Sequence, residues 1–167
     1  VQHFLDEQHR RGGVRATARI KARNRFTCQW HIPEKSPSVE LIIPTRDQAE
    51  VLNLAVDSII TKTTYTNYTI TVVDNQSEEV ATKNLFKNLK RVHGEKINII
   101  KYNKKFNYSA INNYAVRKST ADIVVLVNND VEVISSKWLQ EIVSHTSRPD
   151  VGCVGAKLYY SNGTIQH

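Results

Sequence analysis

The sequence has few cysteines and no long hydrophobic run. Its two cysteines, Cys28 and Cys153, form no disulfide framework, and we expect both to be reduced. No apolar stretch approaches the roughly 18 residues that a membrane-spanning helix needs, and the first residues contain no apolar core of a signal peptide. These absences predict a soluble cytoplasmic protein whose fold needs neither disulfides nor a structural metal.

Glycine is also scarce, and the motifs that depend on it are missing. None of the six glycines forms a G-x-G-x-x-G or G-x-x-x-x-G-K loop after a predicted strand, which argues against a Rossmann dinucleotide site and against a P-loop. The G-x-S-x-G, H-E-x-x-H and C-x-x-C patterns are absent as well. The functional groups that remain at strand ends are carboxylates and carboxamides.

The net charge of +7 is concentrated near the start of the chain. Residues 1–37 contain eight Lys or Arg against three Asp or Glu, and the stretch 9–25 contains no acid. Such a run could bind nucleic acid, a neighbouring domain or an anionic membrane surface, the last at the inner face of the membrane. No aromatic residues are interleaved with its cations, so we expect no nucleic-acid partner and favour a solvated connector.

The length fits one folded domain behind a linker. A chain of 167 residues can bury roughly 70% of the surface that its unfolded form exposes. Pro33 and Pro37 mark a linker. We therefore predict a basic leader over 1–37 and a domain over 38–167.

The strand predicted over 123–127 organises this domain. Its five consecutive β-branched or leucine residues indicate a strand that is buried on both faces, as in a parallel sheet covered by helices. The strand ends in Asn128, Asn129 and Asp130. A carboxylate at this point could serve a turn or a helix cap, but ligands of open parallel sheets bind just outside the carboxyl ends of the strands.

The remaining pattern alternates strands with helices. We predict further strands over 39–43, 69–73, 97–102 and 151–158, and helices over 47–60, 78–92, 108–118 and 137–147. Pro44 should end the first strand, and Asp47 with Glu50 has the spacing of a capping box. The order βαβαβαβαβ predicts an α/β fold with a mostly parallel sheet between helices.

Three strand ends carry polar clusters that a parallel sheet would bring to one edge. They are 45–47, 74–75 and 128–130. Asp74 or Asn75 could hydrogen-bond a base or a ribose, and Asp130 could hold a hard cation that also binds phosphates. We expect Asp74 and Asp130 to converge and to bind a nucleoside diphosphate through that cation.

These segments resemble the successive signatures of glycosyltransferase family 2, and especially its bacterial members that build O-antigen and other surface polysaccharides. The matching segments are VELIIPTRD at 39–47, VVDNQS at 72–77, FNYSAINN at 106–113, LVNND at 126–130, VGCVGAKL at 151–158 and GTIQH at 163–167. The similarity covers about residues 38–167. It is specific because all of these motifs occur in the family's order, whereas any one of them alone would be weak.

The resemblance implies a GT-A fold that ends after its donor-binding half. It further implies transfer of a sugar, with inversion, from a nucleotide donor to an acceptor hydroxyl, with Mg²⁺ or Mn²⁺ as the cofactor. The partners would be a nucleoside-diphosphate sugar and a glycan or lipid-linked glycan acceptor.

The resemblance also assigns roles to residues. Asp130 matches the metal ligand of the family's D-x-D motif, and Asn128 stands in that motif's first position and binds ribose. The other matched donor-binding residues are Pro44, Thr45, Arg46, Asp74, Asn75, Asn112 and Asn129. Relatives carry an Arg near the diphosphate at the position of Asn112, and Lys104 or Lys105 could replace that contact.

The catalytic base of the family, an Asp or Glu, belongs to the acceptor half. Glu132, Glu141 and Asp150 do not match it, so we expect a donor-binding fragment with little or no transferase activity. Two other classes stay open. One is a non-catalytic nucleotide-binding or interaction module, and the other is a sugar nucleotidyltransferase, although the segment after the first strand has no glycine to hold a triphosphate.

Overall fold

The computed structural model describes residues 1–166. In chain order its elements are α1 (Gln2–Arg10), β1 (Ala16–Ala22), β2 (Arg25–Trp30), β3 (Val39–Thr45), α2 (Ala49–Lys62), β4 (Tyr68–Asp74), α3 (Val80–His93), β5 (Ile97–Lys101), α4 (Tyr108–Val116), β6 (Ile123–Leu126) and α5 (Trp138–Thr146). They form two compact units, one over Pro37–Ser136 and the other over Val1–Ser36 together with the described residues from Lys137 onward.

The unit Pro37–Ser136 is built on a parallel sheet of four strands in the order β5-β4-β3-β6. Leu41 of β3 pairs with Ile70 of β4 and with Val125 of β6. Parallel strands need crossover connections that cover the sheet, and α2, α3 and α4 provide them. The expected α/β fold with a parallel sheet between helices is confirmed.

The two faces of this sheet carry different helices. Ile42 and Val73 pack against Ile111 and Ala115 of α4. Neighbouring residues of a strand point to opposite faces, so Asp74 points away from α4. It lies on the side where α3 contacts β5.

The strand β3 continues through Pro44 to Thr45, so the expectation that Pro44 ends it was wrong. Pro44 pairs in register with Val73 of β4. The carbonyl of Ile42 accepts the Val127 amide at 2.9 Å on the β6 side, and amides two residues apart in a strand point the same way. The missing N–H of Pro44 therefore faces the side where β6 has already ended, and no sheet hydrogen bond is lost.

Asp47 does not cap the helix that follows it, so the expected capping box was also wrong. Gln48 is the N-cap of α2 and has no side-chain capping bond. The Asp47 carboxylate instead accepts the amides of Glu78 and Glu79, both at 2.9 Å, at the start of α3. Local spacing predicts only caps within the same helix, and it cannot show that Asp47 accepts amides that lie 31 and 32 residues later in the chain.

No residue of the strand β6 is fully buried, which corrects the expectation that it is buried on both faces. It pairs with β3 alone, and Leu126 at its end is 49% exposed. Five apolar residues do mark a strand at this place, but they do not specify how many neighbours it has.

The other unit contains α1, the antiparallel hairpin of β1 and β2, and α5. The Arg148 guanidinium lies 4.2 Å from the ring centroid of Trp30. The predicted strand over 151–158 is absent, and Cys153 is exposed rather than in a core strand. The expected Asn-Gly turn is present, with Tyr159 and Ile165 bridged across it and Gly163 at φ +82°.

The structure agrees with the expectations that both cysteines are reduced and that no stretch spans a membrane. Both cysteines are free thiols. Across residues 1–166 no helix is long and apolar enough to span a membrane. His167, the last residue of the predicted terminal motif, lies outside the described residues.

Candidate functional site

A cleft of about 190 Å³ opens where β3, β4 and β6 end. Its lining residues are Pro44, Thr45, Arg46, Asn75, Phe106, Tyr108, Ile111, Asn128 and Asn129. Each of the three predicted polar clusters contributes to it. The carboxyl edge of the parallel sheet is therefore a concave surface that combines apolar side chains with a few polar ones, as expected for a ligand site.

The register of the strands explains why these residues meet. Thr45 pairs with Asp74 at the end of the β3–β4 ladder, and the amide of Asn75 donates to the Thr45 carbonyl at 2.8 Å. On the other side β6 ends opposite Ile42, three residues before β3 does. The shorter β6 leaves a step at the sheet edge, and Asn128 and Asn129 follow it into the cleft.

Asn75 is the most constrained side chain of the cleft. It is 2% exposed, and its Nδ2 donates to the carbonyls of Tyr102 at 3.0 Å and Lys104 at 2.9 Å. Its Oδ1 is buried without a partner. Because both donors are used by the protein, the amide presents only an acceptor, and buried acceptors of this kind are rarely left unpaired.

Two contacts join the β6 end to the rest of the cleft. The Asn129 Nδ2 donates to the Thr45 Oγ1 at 3.3 Å, and the Tyr108 hydroxyl donates to the Asn128 Oδ1 at 3.3 Å. The sequence motif over 106–113 pointed to this region, but it did not single out Phe106 or Tyr108 as lining residues. An exposed aromatic at the start of a helix has no distinctive sequence signal.

The loops after β3 and β4 support each other. The Asp47 amide donates to the Ser77 Oγ at 2.9 Å, while the Asp47 carboxylate caps α3. Asp47, Gln48 and Gln76 have positive φ values near +60°, a conformation that costs energy for residues other than glycine. The hydrogen bonds between the loops hold this conformation and fix the shape of the cleft wall.

Asp74 is not brought to this cleft, in contrast to the expected convergence with Asp130. Its side chain points to the α3 face, and its Oδ1 accepts the amide of Ser77 at 2.9 Å. The alternation of a strand sends Asp74 and the residue after it to different surfaces. Asn75 alone of this pair faces the cleft.

Asn112, Lys104 and Lys105 have no side chain in the cleft lining. Asn112 is buried in α4, where its Nδ2 donates to the Tyr108 carbonyl at 2.9 Å and its Oδ1 has no partner. Lys104 contributes its carbonyl to Asn75. Arg46 is the cation that lines the cleft, and it makes only a long 3.9 Å ion pair with the exposed Glu78.

Asp130 is exposed just beyond the cleft lining. Within residues 1–166 no three His, Cys, Asp or Glu side chains lie close enough to hold a metal ion together. Mg²⁺ needs only one or two protein carboxylates when substrate phosphates and waters supply the other ligands. The residues present therefore fit a cation that arrives with a diphosphate and do not fit a site made by protein alone.

The next carboxylate along the chain is engaged elsewhere. The Lys62 Nζ donates to the Glu132 Oε1 at 2.6 Å, and this hydrogen bond, with the charge of Lys62, lowers the pKa of the Glu132 carboxyl. Glu132 is exposed and does not line the cleft.

The comparison with protein families decides the membership of the chain. The model of Glycosyl transferase family 2 matches residues 40–167. The chain belongs to this family. The matched range contains the parallel sheet except Val39, the first residue of β3, and every residue of the cleft.

Two sequence relatives of this glycosyltransferase family 2 chain are much longer proteins. It is 48% identical over 134 residues, 80% of its length, to "Uncharacterized protein y4gI" of Sinorhizobium fredii. It is 33% identical over all 167 residues to the O-antigen biosynthesis protein RfbC of Myxococcus xanthus. The chain spans 15% of the first relative and 12% of the second.

Solved glycosyltransferases share its fold. The mannosyltransferase PcManGT of Pyrobaculum calidifontis, in complex with GDP-Man and Mn²⁺, superposes with a TM-score of 0.66 at 23% identity, over 75% of this chain and 38% of its own. GalNAc-T7 with UDP, GalNAc and Mn²⁺ gives 0.64 at 17% identity, over 72% of this chain and 23% of its own. These likenesses show that the family 2 chain has the GT-A fold.

Proposed function

We propose that the cleft binds the nucleotide of a nucleoside-diphosphate sugar, and that 38–167 is the donor-binding part of an enzyme that transfers the sugar with inversion to an acceptor hydroxyl. The unpartnered Oδ1 of Asn75 carries this proposal, because it is a buried acceptor on a residue that lines the cleft. The family membership and the nucleotide-bearing structural neighbours support it.

The base and ribose are assigned to the β3–β4 side of the cleft. A base N–H donates to the Asn75 Oδ1, since the amide cannot turn without losing its bonds to two carbonyls. Pro44 and Phe106 supply the apolar surface against which a base can lie. We assign the hydroxyl of Thr45 and the amide of Asn128, which also line the cleft, to the ribose.

The diphosphate is assigned to the side of β6. Arg46 offers a guanidinium that is only weakly paired within the protein, and Asn129 offers an amide. Asp130, the exposed carboxylate beside them, would hold Mg²⁺ or Mn²⁺ together with the phosphates. A cation bound there would supply Lewis-acid chemistry, neutralising negative charge on a departing diphosphate.

The acceptor proton must be removed by a group outside this cleft. Among the described residues, those that line the cleft include no Asp, Glu or His. General-base catalysis needs such a group within hydrogen-bond reach of the acceptor hydroxyl. We therefore propose that the 167-residue chain alone binds donor with little or no turnover. The relative that acts in O-antigen biosynthesis supports a glycan or lipid-linked glycan as the acceptor.

The basic leader is proposed to contact an anionic membrane surface through its hairpin tip. All residues over 19–27 are exposed, and they include four Lys or Arg and no acid. Ile20 and Phe26 form a cross-strand pair at 77% and 51% exposure. Apolar side chains ringed by cations fit the interface of a bilayer with anionic lipids.

A thermal-shift series tests donor binding. The chain is heated with UDP, dTDP, GDP or CDP, each with and without Mn²⁺. A nucleotide at about 100 times its dissociation constant should add about 2.7 kcal/mol and several degrees to Tm. We expect a Mn²⁺-dependent rise that Asp130→Ala abolishes and that Asp57→Ala, which removes an exposed acid of α2, leaves intact. Four nucleotides without any shift would end the proposal.

A further inference from the structure

A second concave surface lies on the α3 side of the sheet. It has a volume of about 650 Å³ and runs between α3 and the end of β5. Phe86 and Ile99, both partly buried, provide its apolar wall. Four exposed lysines surround that wall, and we call the surface the lysine groove: Lys83, Lys87, Lys90 and Lys101.

The secondary structure dictates that these four lysines share one surface. Lys83, Lys87 and Lys90 are four and three residues apart in α3, so they lie along one stripe of the helix. Lys101 pairs with Asp74 in the sheet, so its side chain points to the same face as Asp74, on the α3 side. The stripe and the strand end thus place four cations around one concavity.

Little in the described chain neutralises these charges. Within residues 1–166 none of the four lysines forms an ion pair with a carboxylate. Lys83 donates to the carbonyl of Glu78 at 3.0 Å, and Lys90 lies 3.4 Å from the Asn98 Oδ1. Asp74 is the acid of the groove lining, and the Ser77 amide occupies its Oδ1.

We propose that the lysine groove is a second anion site, which binds a phosphate-bearing ligand. Concave surfaces lined by one sign of charge focus the field, and an apolar wall strengthens it. Lysine binds phosphate as a point charge. Four cations match a phosphate ester or a diphosphate, with two or more negative charges, better than a single carboxylate. The lining of the donor cleft contains one cation, Arg46, so the groove is the more strongly basic of the two surfaces.

Calorimetric titration with inorganic diphosphate, in EDTA to remove divalent cations, tests the groove. We expect saturable binding that weakens as ionic strength rises. The pair Lys87→Gln and Lys101→Gln should raise the dissociation constant about tenfold, since each exposed charge contributes modestly. The control pair Arg117→Gln and Lys118→Gln removes the same amount of charge beyond the end of α4, and it should change the dissociation constant less than about twofold.

Vesicles separate the two sources of such a phosphate. The ligand is a lipid headgroup if the chain binds phosphatidic acid vesicles, does not bind phosphatidylcholine vesicles, and loses the binding to phosphatidic acid in the groove variant. Loss of diphosphate binding in the groove variant, with vesicle binding absent or unchanged, identifies a soluble ligand, because the hairpin tip is proposed to bind anionic vesicles independently of the groove. Absence of both, or equal losses in the two variant pairs, overturns the proposal.

This inference does not rest on donor binding. The Mn²⁺-dependent nucleotide shift should persist in the groove variant, which also shows that the variant is folded. If the nucleotides fail to bind while the diphosphate binding still depends on Lys87 and Lys101, the donor proposal fails and the groove proposal stands.

Discussion

The substitution Asn75→Asp tests the fixed orientation of the amide on which base recognition depends. The change replaces Nδ2 with an oxygen and preserves the size of the side chain. In the structure Nδ2 donates to two carbonyls, those of Tyr102 and Lys104, at 3.0 and 2.9 Å inside a site that is 2% exposed. The variant would set a carboxylate against both carbonyls.

The magnitude follows from the number of bonds lost. A buried group left without its hydrogen bond costs about 1–3 kcal/mol, so two such carbonyls predict a loss of about 2–6 kcal/mol at neutral pH. The deficit should shrink as pH falls, because a protonated carboxyl can donate to one of the carbonyls. Urea unfolding measured at several pH values gives both quantities.

Asn112→Asp is the matched control for this substitution. Asn112 is equally buried, but its Nδ2 makes one bond, to the Tyr108 carbonyl within the same helix. That carbonyl lies four residues before Asn112 and can keep the helical bond to its amide, so we expect a loss of about 1 kcal/mol. Equal losses in the two variants, or a loss below about 0.5 kcal/mol for Asn75→Asp, would show that the two carbonyls do not hold the Asn75 amide in place.

Three further predictions concern other parts of the chain. Asp47→Ala should lower the free energy of unfolding by about 1–2 kcal/mol in urea, because α3 loses its cap, whereas Asp47→Asn should retain most of it. Lys62 lowers the pKa of the Glu132 carboxyl, so this pair stabilises the fold above roughly pH 4. The stabilisation is lost as the pH falls through the lowered pKa. Glu132→Gln should therefore make the free energy of unfolding less dependent on pH in this acid range. Ile20→Ser with Phe26→Ser should weaken sedimentation with phosphatidylserine vesicles, and unchanged sedimentation would contradict the proposed hairpin contact.

Periodicity in the sequence predicted the elements that form the core. The runs at 39–43 and 69–73 are strands in the structure, because a parallel sheet buried by helices needs continuous apolar strands. The same logic failed over 151–158, where the described chain has no strand and most residues are exposed. An apolar run needs a neighbouring strand to pair with, and the sequence does not say whether one is available.

The hairpin of β1 and β2 was missed because its pattern is weak. Its residues over 19–27 are exposed on both faces, so no burial imposed an alternation of apolar and polar residues. The leader was therefore interpreted as a linker on its prolines and charge. Pairing between the strands, and not a hydrophobic face, defines this element.

The sequence was sufficient to predict which strand ends form the candidate site. It was not sufficient to predict the directions in which their side chains point. Thr45, Asn75 and Asn129 meet because parallel strands deliver their carboxyl ends to one edge. Asp74 and Asn75 are adjacent polar residues that both looked suitable for a ligand. The register of β4 turns them to different surfaces, and only the structure reveals which one faces the cleft.

Paramagnetic broadening by Mn²⁺ shows where on the chain the cation and the nucleotide bind. The chain is labelled with ¹⁵N, and Mn²⁺ is added with and without a nucleoside diphosphate that raises Tm. We expect the nucleotide to concentrate broadening on the amides of Thr45, Asn128, Asn129 and Asp130 and to spare Lys118, beyond the end of α4. Broadening centred elsewhere, or broadening that is the same without nucleotide, would contradict a donor site at this edge of the sheet.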